Sequence, residues 1–199
     1  MGLPSSRALR SRSAAIAALT VLAAGIPRPL SAQSQALLVS IHGGRHTPLV
    51  NLNDAGDDFS AAFSYGASIG LQLGPSVALR GMVTRHRARY RGETAQLSDS
   101  MATRYSYALD LQYGWPTTSA LVPYIYFGGG AFSTDFDDET RSSSPSFAGR
   151  FGIGMNRVGA LGAWFLEIGT LLYEFKSPNF KRVQFDIEAR LGFALAIGL

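Results

Sequence analysis

His42, His46 and His86 are the three histidines of the chain, which has no cysteine. Any metal or nucleophilic chemistry must therefore be built from imidazoles, carboxylates and hydroxyls. None of the three sits in a recognisable ligand spacing. His46 falls in a polar stretch that reads as loop, and His42 on the inner face of the first strand. A serine hydrolase needs a histidine beside its nucleophile and a carboxylate behind it. Neither His42-Gly43-Gly44 nor His86-Arg87-Ala88 offers a His-x-Ser arrangement, and Ser142, Ser143 and Ser144 read as loop composition. Gly128-Gly129-Gly130 and Gly152-Ile153-Gly154 do not continue into a phosphate-binding loop. In strand-like sequence such glycines permit bending or a crowded interior. The acidic runs Asn53 to Asp58 and Asp135 to Glu139 lack EF-hand spacing and read as solvated loops. The reading is of a chain with no catalytic residues, no cofactor and no metal site.

Arginines make the sharper pattern. Arg85, Arg87, Arg89 and Arg91 recur at every second position and so share one face of a strand. That face continues the apolar register of Val77, Leu79 and Val83. Guanidinium groups in this array suit bidentate contact with phosphate, and the other reading is a solvated ribbon.

Every odd position from Val183 to Leu199 is apolar, while the even positions carry Arg182, Gln184, Asp186, Glu188, Arg190, Gly192, Ala194, Ala196 and Gly198. A strand turns successive side chains to opposite faces, so this segment has a greasy face and a polar or small one. Its length exceeds that of ordinary soluble strands and suits a tilted membrane strand. The same alternation recurs in Arg104 to Trp115, Phe63 to Leu73, Val77 to Thr84, Phe147 to Asn156 and Trp164 to Leu172. A first strand covers about Gln35 to Gly44, with Leu37, Val39 and Ile41 outward. A fifth, about Leu121 to Thr134, leaves the facing of Tyr124 and Tyr126 open. The pattern predicts an all-β fold, an eight-stranded antiparallel up-and-down transmembrane β-barrel.

Connections alternate. Those at 74–76, 116–120 and 157–161 are short, while those at about 45–60, 91–101 and 135–146 are long and polar, with 176–181 shorter. Outer-membrane barrels keep short turns on the periplasmic side, so the loops near Asp57, Gln96, Asp138 and Pro178 should face outward. Phe63, Tyr65, Tyr105, Tyr107, Tyr173 and Phe175 form one expected aromatic girdle, and Tyr113, Trp115 and Trp164 the other. The arginine strip then lies at the external rim, where lipopolysaccharide phosphates sit. In the same register Arg80, Arg104, Asp110, Arg150, Glu167, Arg182, Asp186, Glu188 and Arg190 point inward. An eight-stranded lumen is just wide enough for side chains to fill, so these charges predict a salt-bridged plug.

Residues 1–32 carry Arg7, Arg10 and Arg12, an apolar stretch from about Ala14 to Ile26, and Ser31-Ala32. That is the order of a secretory signal peptide, leaving residues 33–199 as one barrel domain. Removing its four arginines takes Lys+Arg from 18 to 14 against 14 Asp+Glu, a balanced charge that gives no argument for nucleic-acid binding.

With these features the mature region resembles the small OmpA/OmpX-type outer-membrane β-barrels. The most specific piece is Arg190-x-Gly192-x-x-Leu195-x-Ile197, which is similar to the signal read by the outer-membrane assembly machinery, with Leu199 where a terminal aromatic is usual. The resemblance implies a Gram-negative outer membrane and, as partners, its lipid, lipopolysaccharide and the assembly machinery. The fold hosts adhesins, structural proteins, narrow channels and lipid-modifying enzymes. The reading adopted is a non-enzymatic envelope anchor with surface-exposed loops for structural or adhesive roles. A narrow channel for small or apolar solutes is the alternative, and a lipid A-modifying enzyme the third reading. No loop motif names a surface ligand.

Overall fold

A computed structural model describes residues 36–52, 56–91, 100–115, 117–136, 145–159, 161–177 and 180–198. The expected signal peptide, Gln96, Asp138, Ser142 to Ser144, Pro178 and Leu199 lie outside the described residues. The strands are β1 (Ala36–Pro48), β2 (Asp58–Phe59), β3 (Ala62–Gln72), β4 (Val77–Arg91), β5 (Met101–Gly114), β6 (Leu121–Phe136), β7 (Ser146–Gly159), β8 (Gly162–Ser177) and β9 (Phe180–Gly198). From β3 onward each strand pairs antiparallel with the next. β1 pairs with β3 on one side and with β9 on the other, from Ala36↔Gly198 to Pro48↔Asp186. With the two-residue β2 set aside, this is the expected closed eight-stranded barrel, and closure leaves no strand edge to face hydrocarbon.

The outer wall carries the apolar half of each alternation. Ile41, Ile69, Leu109, Phe151, Ile153, Leu166, Ile168 and Leu191 are each more than half exposed. A continuous apolar band around a closed barrel is unfavourable in water and matches lipid. Tyr113, Trp115 and Trp164 are exposed at the short-turn end, with Phe193 5.0 Å from Trp164 between ring centroids. Phe63, Tyr65 and Tyr107 are exposed towards the other end. Tyr173 and Phe175, expected in that outer girdle, are instead buried inside. The β8 register sends Trp164, Leu166 and Ile168 outward, so the odd residues Leu171, Tyr173 and Phe175 must face the lumen. Tyr124 and Tyr126, whose facing the alternation left open, are also inward and buried.

A second correction concerns the first long connection, where the loop near Asp57 was expected to be exposed. Along β3–β4 the paired residue numbers keep one register, from Phe63↔Arg87 to Gln72↔Ala78, whereas β2 pairs Phe59↔Tyr90 and Asp58↔Arg91, shifted by one. An extra residue between the two ladders is a β-bulge, and a one-residue slip exchanges the faces. Phe63 points to lipid, but Asp57 and Phe59 turn into the barrel mouth and are buried, with Leu52 beside them. Gly56, at φ +87°, supplies the left-handed corner before β2.

Candidate functional site

Eight of the nine residues predicted for the lumen are buried and ion-paired, six of them in one network and Arg104 with Asp186 in a pair above it. Glu167 of β8 is its hub: Arg80 donates Nη1–H to its Oε1 at 2.6 Å and Tyr124 donates its hydroxyl to the same oxygen at 2.6 Å. Arg190 of β9 lies 2.6 Å from Oε2. Arg80 also reaches Asp110 at 3.1 Å, and Arg150 bridges Asp110 at 3.5 Å and Glu188 at 3.2 Å. The Tyr126 ring lies among three guanidinium groups, those of Arg80, Arg150 and Arg190, 5.3–5.7 Å from its centroid. Each charged group faces at least one opposite charge, as buried ions require, while Asp110 Oδ1 and the Nε atoms of Arg80, Arg150 and Arg190 stay without a hydrogen bond. Arg182, the ninth residue, is half-buried towards the mouth, opposite Phe175 on the ladder.

Inward glycines make room for this packing. A methyl group on Gly169 or Gly152 would strike the Tyr126 hydroxyl, and one on Gly154 the Tyr124 ring. Gly192 of the assembly-signal sequence likewise leaves space for the Phe165 ring. These inward glycines are packing devices, as the sequence reading held for Gly152 and Gly154.

Above the network, towards the long loops, the lumen turns apolar. Leu52, Phe59, Tyr90, Phe132, Leu171, Tyr173 and Phe175 form a buried cluster under the mouth. Arg104 joins the two layers. It pairs with Asp186 at 3.1 Å and donates to the Tyr173 hydroxyl, while its guanidinium lies 4.6 Å from the Phe59 centroid and 4.7 Å from that of Phe132. Tyr90 donates its hydroxyl to the buried Asp57 at 2.6 Å.

Two of the histidines meet, against expectation. His42 faces inward as predicted, with Nε2 3.0 Å from Thr84 Oγ1. His46 is not in a loop: β1 runs on to Pro48 and holds it, buried, opposite Glu188 of β9. Its ring lies 4.4 Å from that of His86 on β4, and ligand atoms of His46, His86 and Glu188 all fall within 4.8 Å of one another. The signal was available, because His42 and His46 share parity and Asp186 and Glu188 face the same lumen.

On the outside, Arg85, Arg87, Arg89 and Arg91 occupy the outer face of β4. Arg85 donates to the Tyr65 hydroxyl at 2.5 Å, and Arg91 forks onto Asp58 at 3.1 and 3.2 Å. Arg87 and Arg89 are exposed. The ladders add Arg45, also exposed, in the row Arg45–Phe63–Arg87. Reading residue 45 as loop hid it. Of the assembly-signal residues, Arg190 faces the lumen network, Leu195 pairs with Val39, and Ile197 is exposed on the outer face.

Comparison with solved structures places this geometry. OprG from Pseudomonas aeruginosa matches over 84% of this chain and 99% of its own, at 14% identity and a TM-score of 0.55. Neisserial surface protein A matches over 82% and 97%, at 15% identity and 0.55. The outer membrane protein AlkL, determined in DMPC bilayers, matches over 88% and 96%, at 17% identity and 0.53. The fold is that of the small outer-membrane β-barrels. No protein-family model and no curated protein sequence matches the chain. Identity this low carries architecture and not activity.

Proposed function

We propose that the chain is a non-enzymatic outer-membrane protein, exported by a cleaved signal peptide, whose barrel is a closed anchor presenting its long loops for structural or adhesive contacts. One observation carries this reading: two stacked layers of buried side chains cross the lumen. An ion-paired layer of Arg80, Asp110, Arg150, Glu167, Glu188 and Arg190 lies below an aromatic layer of Phe59, Phe132, Tyr173 and Phe175. An open path would need both layers to be solvated. Planar-bilayer recording on the purified protein tests the proposal. A closed anchor gives no steady conductance, whereas reproducible single-channel steps would replace it with the narrow-channel reading.

The rim arginines define the partner side of the same proposal. Arg85, Arg87 and Arg45 stand level with the exposed rings of Tyr65 and Phe63, and Arg89 stands just beyond them. That is the height at which lipopolysaccharide phosphates meet a barrel wall, and arginine binds phosphate through two parallel N–H bonds. Arg91 contributes less because its fork is already on Asp58. The Arg190 to Ile197 segment, closing onto β1, serves the assembly machinery.

A further inference from the structure

We propose that His46, His86 and Glu188 bind a divalent transition-metal ion of the zinc class inside the barrel, under the aromatic cap. The three residues come from β1, β4 and β9, and all are buried. His86 is the decisive one. Both ring nitrogens are buried without a hydrogen-bond partner, and its Nε2 stands 3.9 Å from Glu188 Oε1. That gap is too long for a hydrogen bond and suits two ligands of one ion, since bonds of about 2.0–2.2 Å in a tetrahedron separate ligand atoms by about 3.4 Å.

The atoms divide cleanly between ion and scaffold. Arg150 engages Glu188 through Oε2 at 3.2 Å, which leaves Oε1 on the histidine side. Asp186 Oδ2 lies 3.0 Å from His46 Nε2 and 3.1 Å from Arg104, so a carboxylate already orients one ligand ring, as outer partners do in imidazole metal sites. Asp186 Oδ1 is a further buried oxygen without a partner.

The charges around the site are balanced by the protein itself. The buried described residues include four arginines, Arg80, Arg104, Arg150 and Arg190, against five carboxylates, Asp57, Asp110, Glu167, Asp186 and Glu188. The half-buried Arg182 at the mouth is a fifth cation, so the signs balance and the ligand set decides the ion. Two imidazoles and one carboxylate select a zinc-class ion over calcium or magnesium, which take oxygen ligands.

The full-length protein, unfolded in urea and refolded into micelles with Co²⁺ present, tests this without requiring entry past the cap. About one Co²⁺ per chain with an intense tetrahedral visible spectrum, displaced by Zn²⁺ and not by Ca²⁺, is expected, as is an unfolding midpoint raised by roughly 5–10 °C at saturating Zn²⁺. His46→Gln and His86→Gln should abolish the spectrum, while His42→Gln, whose imidazole lies on Thr84, keeps it. Wild-type protein that refolds without the spectrum and melts unchanged in Zn²⁺ would overturn the proposal, whatever the variants do. So would Co²⁺ bound equally by both histidine variants, which marks surface carboxylates as the site.

Discussion

Replacing Glu167 with glutamine tests whether the lumen is a dry plug or a wet channel lining. The substitution keeps an oxygen to accept the Tyr124 hydroxyl but removes the charge facing Arg80 and Arg190, both 2.6 Å away. With charge centres about 4 Å apart, an ion pair is worth on the order of 4 kcal/mol at an effective dielectric of about 20, and about 1 kcal/mol in water. Removing one partner of a buried pair costs about 3–5 kcal/mol, because the remaining charge stays desolvated, whereas exposed pairs cost about 0.2–1 kcal/mol. The expected loss for Glu167→Gln is therefore about 3–5 kcal/mol. Arg190→Gln should be comparable, and the double variant should lose less than the sum, with a coupling of about 1–3 kcal/mol.

Urea unfolding of the protein refolded into vesicles measures this. Both tryptophans, Trp115 and Trp164, are exposed on the outer wall at the short-turn end, so their fluorescence reports departure from lipid. Heat-modifiable gel mobility gives an independent count of folded barrel. A loss under about 1 kcal/mol for each single variant, with negligible coupling, would mean that water screens the pair, and the closed-anchor reasoning would fail with it.

Gly169→Ala should cost about 1–3 kcal/mol, because the methyl group meets the Tyr126 hydroxyl, while Gly149→Ala, with nothing within 4 Å, should stay within about 0.5 kcal/mol in the same urea assay. Leu191→Arg, in the apolar band, should cost about 2–4 kcal/mol, and Leu195→Arg, beyond the Phe193–Trp164 girdle, about 0–1 kcal/mol. If the terminal sequence is read by assembly machinery, Leu195→Arg refolds unaided yet fails to reach the membrane in cells; equal recovery from cells would refute that role. The triple change of Arg85, Arg87 and Arg89 to glutamine should leave the barrel folded, lower the lipopolysaccharide that co-purifies with it and flatten the salt dependence of that association. Unchanged retention across the salt series would leave the strip a solvated ribbon.

The barrel was legible because its cause is local. A closed sheet between lipid and a narrow lumen imposes strict alternation on every strand, and the alternation is visible residue by residue from Val183 onward. The same parity placed Arg80, Asp110, Glu167 and Arg190 inside before any contact was known. Parity does not say which inward residues meet, because that depends on ladder offsets between strands. Arg80 and Glu167 are 87 positions apart in the chain and touch across the lumen. The histidine pair was lost for a simpler reason: with β1 ended near Gly44, His46 had no face at all.

The cap shows where parity itself fails. Leu52 and Phe59 are two of the apolar residues in a stretch that reads as polar loop, and extending the β3 alternation back to residue 59 would send Phe59 to the outer face above Phe63. One inserted residue ahead of β3 reverses that, and its effect is large because a period of two has no intermediate setting. Phe59 then packs against Tyr90, Phe136 and Phe175 with centroids 5.7–6.2 Å apart, and its face covers the Arg104 guanidinium. The slip thus does two things at once: it buries an aromatic ring that would otherwise float above the membrane, and it keeps water from the outermost ion pair. Replacing Phe59 with alanine should uncover Arg104 and cost about 3–5 kcal/mol in the urea assay. A barrel that lost this ring without losing stability would show that the cap contributes nothing to the plug.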